Sequence, residues 1–140
     1  MKDSILKRYM LTDPQAEKPG GVSGEDSEEV EDVGFFGWLR GTRDRAVMLE
    51  LRKKDGSVVA YDYAILRKIE HDPSQGVTLH FSGEAVKITG RNLKEDVKPG
   101  VSLVRGLLWH RIPWIREASD AENLKAGEAA IVIERITGLG

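Results

Sequence analysis

The residues best placed to do chemistry are basic. Once the hairpins described below are put in register, Lys68, His80 and Lys87 fall in one cross-strand row on an outer face, with Arg67 on the other face near an edge. Three basic groups in a row repel each other unless water or an anion screens them. The row is therefore read as a solvated face, with a phosphate or nucleic-acid patch as the sharper alternative. Stacking aromatics are not interleaved with these bases, which weakens the nucleic-acid reading. A second cluster is Trp109-His110-Arg111-Ile112-Pro113-Trp114, in which Arg111 could lie over a tryptophan ring. Packing is its first reading and recognition its second. Phe35, Phe36 and Trp38 form a third cluster, dense for a chain with three Phe, three Tyr and three Trp. They either plug an open end of the fold or anchor a partner, since such side chains supply binding hot spots.

Motifs for catalysis are missing. There is no nucleophile elbow, phosphate-binding loop, HExxH or EF-hand spacing, and no cysteine for a thiolate site or disulfide. Gly20-Gly21 and Gly24 follow no expected strand and precede no expected helix, so they do not make a phosphate loop. His71 and His110 lack partners at ligand spacing, so no metal is expected. Glu28-Glu29 and Glu95-Asp96 pair carboxylates, but on expected loops with nothing to desolvate them. An enzyme would need scattered residues that local sequence does not reveal.

The elements that must position these groups centre on residues 46–90, read as a five-stranded antiparallel meander. Val47, Leu49 and Leu51 alternate with polar residues, the period of a half-buried strand. Asp55-Gly56 could form a two-residue turn, but a three-residue loop, Lys54-Asp55-Gly56, pairs Leu51 with Val59, Leu49 with Tyr61 and Val47 with Tyr63. It collects six apolar residues on one face and is chosen for that reason. A bend or 3₁₀ turn is expected near 62–64. Asp72-Pro73-Ser74-Gln75-Gly76 turns the chain, pairing Ile69 with Leu79 and His71 with Val77. A Gly83-Glu84 turn would pair Phe81 with Val86 and Leu79 with Ile88.

Beyond the meander, Asn92 and Glu95 suggest a capped turn within a helical segment 92–109, of which 101–109 is the covering helix. Gly106 weakens that helix by about 1 kcal/mol relative to Ala. Ser119 and Glu122 repeat the cap signature, with Gly127 as the stop. Residues 129–136 are a final strand, apolar on both faces, which needs cover on both sides. It either closes a small barrel or pairs with another chain at a strand edge.

Charge divides the chain. Residues 1–35 carry four basic and nine acidic groups, and residues 36–118 carry fifteen and ten. Residues 1–33 read as a flexible acidic arm, with a short amphipathic stretch at 4–11, and residues 34–140 as one β-rich domain, mainly β (α+β), forming a small barrel or half-barrel. No apolar run approaches the length of a membrane span, and the start has no signal-peptide apolar region, so a soluble cytoplasmic protein is expected. The favoured function is a non-catalytic interaction or scaffold module without cofactor, whose partner is another protein or a second copy at a strand edge. The alternatives are an anion or nucleic-acid binder and an enzyme with no recognisable motif.

Overall fold

The computed structural model describes residues 29–41 and 43–139. The expected arm, its stretch at 4–11 and its glycines therefore lie almost entirely outside the described residues. The chain divides into two compact units. In the first, Arg40 donates its backbone N–H to Glu29 O at 3.2 Å and its guanidinium lies 3.5 Å from the Glu29 carboxylate. The second comprises Glu31–Leu39 and Arg45–Gly140 and holds the β-rich fold.

The fold is mainly β, with two short helices among the described residues. In chain order the strands are β1 (Val30–Asp32), β2 (Gly37–Leu39), β3 (Met48–Arg52), β4 (Val58–Asp62), β5 (Leu66–Asp72), β6 (Gly76–Phe81), β7 (Glu84–Arg91), β8 (Asp96–Lys98), β9 (Val101–Ser102), β10 (Trp114–Arg116) and β11 (Val132–Gly138). The helices are α1 (Leu103–Leu108) and α2 (Asp120–Lys125), and a 3₁₀ turn spans Tyr63–Ile65.

The five strands of the expected meander exist, but not as one sheet. β10, β3 and β4 form a three-stranded sheet, and β11, β7, β6 and β5 a four-stranded one; none closes into a barrel. The break is the 3₁₀ turn, capped by the Asp62 carboxylate accepting the Ala64 N–H at 2.8 Å. It stops β4 from running on as β5.

Local registers follow turn chemistry. β3 and β4 pair Leu51 with Val59 and Leu49 with Tyr61, and Gly56 takes φ +93° as the bulged loop requires. Leu49 and Leu51 are buried, but Val47 is 72% and Val59 46% exposed, so the expected six-residue apolar face is only partly covered. β5 pairs Ile69 with Leu79 and His71 with Val77 on β6. The β6–β7 turn is Ser82-Gly83, not Gly83-Glu84: Leu79 opposes Val86 and Val77 opposes Ile88. Gly83, at φ +87°, is the second residue of that turn. A shift of two residues keeps every side chain on its face, so apolar alternation cannot distinguish the two registers.

Two other expectations are corrected. Asn92 caps no helix; it sits at φ +57° and its side-chain amide donates to Glu128 O and Ala130 O at 2.9 and 2.7 Å. The helical segment 92–109 is instead β8, β9 and the six residues of α1, which starts after Ser102 accepts the Arg105 N–H. Ser119 and Glu122 do form a capping box at the start of α2, which ends when Ala126 turns extended, ahead of Gly127.

β11 pairs with β7, and a bulge between Ile133 and Arg135 lets Val132, Ile133 and Ile136 all be buried. The core between the sheets is built from Leu49, Leu51, Leu79, Phe81, Val86, Ile88, Ile115 and Ile133, with Leu103 and Leu107 of α1. Among the described residues no helix is long and apolar enough to cross a membrane.

Candidate functional site

The expected basic row is broken. Lys68 opposes His80, but His80 opposes Ala85, and Lys87 opposes Thr78. Glu70 sits among the bases: its carboxylate lies 2.7 Å from His80 Nε2 and 3.4 Å from Lys68 Nζ. The His80 and Lys68 contacts hold the Glu70 carboxyl below its ordinary range. Lys87 Nζ donates to Gln75 Oε1 at 2.6 Å. The expected Gly83-Glu84 turn puts Lys87 opposite His80; the observed register, two residues away, sets it opposite Thr78, and Glu70 lies among the remaining bases.

The aromatic clusters separate into buried and exposed members. Phe36 and Trp38 are in the core and Phe35 packs against it, under the Arg116 guanidinium at 4.6 Å. Phe36 and Trp38 are thus withdrawn from solvent and Phe35 is half-buried. Arg111 is buried; it donates to Leu39 O and lies 5.4 Å over the Trp38 ring. Trp114 is half-buried on β10 beneath Arg52 at 4.6 Å. Trp109 alone of these remains largely open, at 51% exposure.

His110 and Tyr63 join this region to the core. Their rings stack at 4.5 Å and 23°. Tyr63 donates its hydroxyl to Ile112 O at 2.6 Å, and burial holds its phenol well above the ordinary range. His110 lies at φ +57°, at the end of α1: its N–H goes to Leu107 O and that of Arg111 to Gly106 O. These are the two bonds of a Schellman stop, whose left-handed residue is usually glycine.

The surface that residue types did not reveal is the outer edge of β4, which no strand among the described residues covers. Lys53 N–H to Ser57 O, and Tyr63 N–H to Val47 O, fix which backbone groups face β3. By the alternation of an antiparallel ladder, those of Ser57, Val59, Tyr61 and Tyr63 point to β3, and those of Val58, Ala60 and Asp62 point away. Val58 and Val59 are 52% and 46% exposed, Ala60 is exposed, and neighbouring Met48 is 44% exposed. A pocket of about 90 Å³ opens beside them, lined by Leu51, Val59, Tyr61, Val86 and Ile136, with Lys53 and Gly138 also in its lining.

The other outer strands are protected. On β10, Phe36 bridges to Ile115 and Arg116 N–H reaches Phe35 O at 2.9 Å. On β11, Ala118 N–H reaches Ile133 O at 2.7 Å and Glu117 accepts the Ile136 N–H. β5 carries Arg67, Lys68, Glu70 and Asp72, the charges that discourage edge pairing. β4 has one charge, Asp62, and no proline or bulge. Val58-Val59-Ala60-Tyr61 is an uncharged run in the sequence, but the expected meander holds it in the second, interior strand, and only the split into two sheets makes it an edge.

No known family, curated protein or solved structure matches this chain. Among the described residues no three His, Cys, Asp or Glu side chains gather as a metal site would require.

Proposed function

We propose that the β-rich unit is a non-catalytic interaction module, and that its docking surface is the free edge of β4. The observation that supports this is the contrast among the outer strands of the two larger sheets. Three are covered or charged, and the fourth presents bare backbone flanked by exposed valines. Such an edge is a template for strand addition.

The occupant we assign is a second copy, antiparallel about Ala60. The outward backbone groups of Val58, Ala60 and Asp62 are symmetric about that residue, as a two-fold pairing needs. Ala60 would face the partner's Ala60, whose small side chains let the strands approach. Val59 would face the partner's Tyr61, a β-branched and aromatic pair. Asp62 would face the partner's Val58, which already lies beside Arg52 in the same cross-strand row. Extending the sheet in this way also realises, between two copies, the strand-edge association that the uncovered meander suggests.

Sedimentation velocity over a wide concentration range tests the reading. The intact chain forms a dimer, and Ala60→Pro gives a folded monomer, because the proline removes an outward N–H and leaves the β3 ladder alone. Ala60→Lys gives the same result by charge, because the two introduced lysines would face each other across the two-fold axis. A chain that is monomeric throughout, or variants that still dimerise, would overturn the proposal.

A further inference from the structure

Two unrelated backbone irregularities bring basic side chains to one depression. The register between β5 and β6 slips between Leu66 and Lys68, so Arg67 is the extra residue of a β-bulge. Bulges re-aim side chains and recur next to binding sites. Arg67 Nε is steadied by Ser82 Oγ at 3.2 Å. The second irregularity is the left-handed His110, where glycine would adopt φ +57° without strain. Strain kept at a non-glycine residue points to a use for its side chain.

Both residues, with Lys68, line a depression of about 170 Å³ floored by Ile69, Leu107 and Leu108. No carboxylate is in that lining. Lys68 also reaches Glu70 at 3.4 Å, but both side chains are more than half exposed, and such a pair is weak enough for another anion to compete. The imidazole cannot swing away freely, because it is stacked on Tyr63.

From this convergence we infer a binding site for a small organic carboxylate with an apolar body. Arg67 supplies a planar fork matched to a carboxylate. Lys68 supplies a mobile point charge and His110 a ring N–H. Ile69 and the two leucines take the apolar part. The size admits a small acid or the anionic end of a longer one, not a large ligand. The site is separate from the β4 edge, and neither proposal depends on the other.

Benzoate titrated into ¹⁵N-labelled protein is the test, with benzamide and inorganic phosphate as comparison probes. Benzoate gives saturable amide shifts at Lys68, Leu108 and His110; benzamide and phosphate bind markedly less well. Arg67→Ala weakens benzoate by about tenfold, the loss of one charge-assisted contact. His110→Gly relieves the left-handed backbone, so it keeps the fold while weakening benzoate, and so separates binding from folding. Absence of saturable shifts at those amides overturns the site. Equal binding of benzamide removes the charge from the argument, and equal binding of phosphate removes the apolar floor. Unchanged affinity in Arg67→Ala also overturns it.

Discussion

Glu117 Oε2 accepts the backbone N–H of Ile136 at 2.7 Å, while Oε1 accepts that of Lys54 at 2.8 Å. One buried carboxylate thus ties the hairpin after β3 to β11, and with it the three-stranded sheet to the four-stranded one. The backbone on either side does the same: Glu117 N–H reaches Arg52 O at 2.9 Å and Ala118 N–H reaches Ile133 O at 2.7 Å. Residues 114–118 therefore cover the outer edges of β3 and β11, and among the described residues β4 and the charged β5 stay uncovered.

Removing that clasp leaves two backbone donors without their charged acceptor. Glu117→Ala lowers the unfolding free energy by about 2–4 kcal/mol, since bonds to charged groups contribute more than neutral ones and one of the stranded N–H groups is buried. Glu117→Gln, which keeps a carbonyl acceptor, loses less. Denaturant melts of the three proteins measure the order.

Helix propensity alone makes Gly106 a weakness in α1, but its close neighbours require it. A Cβ there would lie 2.5 Å from Ile112 Cδ1 and 2.8 Å from Trp38 Cζ3. Gly106→Ala gains about 1 kcal/mol of helix propensity but forces overpacking that costs about 1–3 kcal/mol. The variant is expected to melt at a lower temperature than the wild type, and a rise in melting temperature would show that α1 is loosely seated.

Leu79 is fully buried between Ile69 and Val86. Leu79→Ala costs about 2–5 kcal/mol, the range for a large-to-small change in a packed core. Urea unfolding measures it. The partner Val86, rather than Ile88, should show coupling to Leu79 in a double-mutant cycle.

Arg116 binds both oxygens of the Glu122 carboxylate at 2.9 Å, and the Ser119 N–H adds a further bond. These contacts, Arg116 first, lower the Glu122 pKa from 4.5 to about 2. A lowered folded-state value means stability that is complete above the unfolded value and is lost as pH falls from there through about 2. Titration of the Glu122 side chain by NMR shows a midpoint near 2, and Arg116→Ala moves it back toward 4.5. An intact protein titrating near 4.5 would mean that the pair does not persist in solution.

The parts of the fold legible in sequence are those with local causes. The bulged hairpin follows from Gly56, the β5–β6 hairpin from Pro73 and Gly76, and α2 from its capping box. Sequence does not distinguish the Ser82-Gly83 turn from Gly83-Glu84, because both registers obey the same alternation, and the basic row depends on which one forms. β10 was not foreseen, because three residues pairing in parallel with β3 leave no local pattern. That hidden strand decides the functional reading, for it covers the edge of β3 and leaves β4 bare.

The Ala60 amide reports most directly on that edge. Its N–H points away from β3, so amide hydrogen exchange should be rapid in dilute protein and slow as concentration rises, while Tyr61, bonded within the sheet, stays protected throughout. Concentration-dependent protection at Ala60 is the result expected of a strand-edge interface. Rapid exchange at Ala60 at every concentration, with Tyr61 still protected, would contradict it.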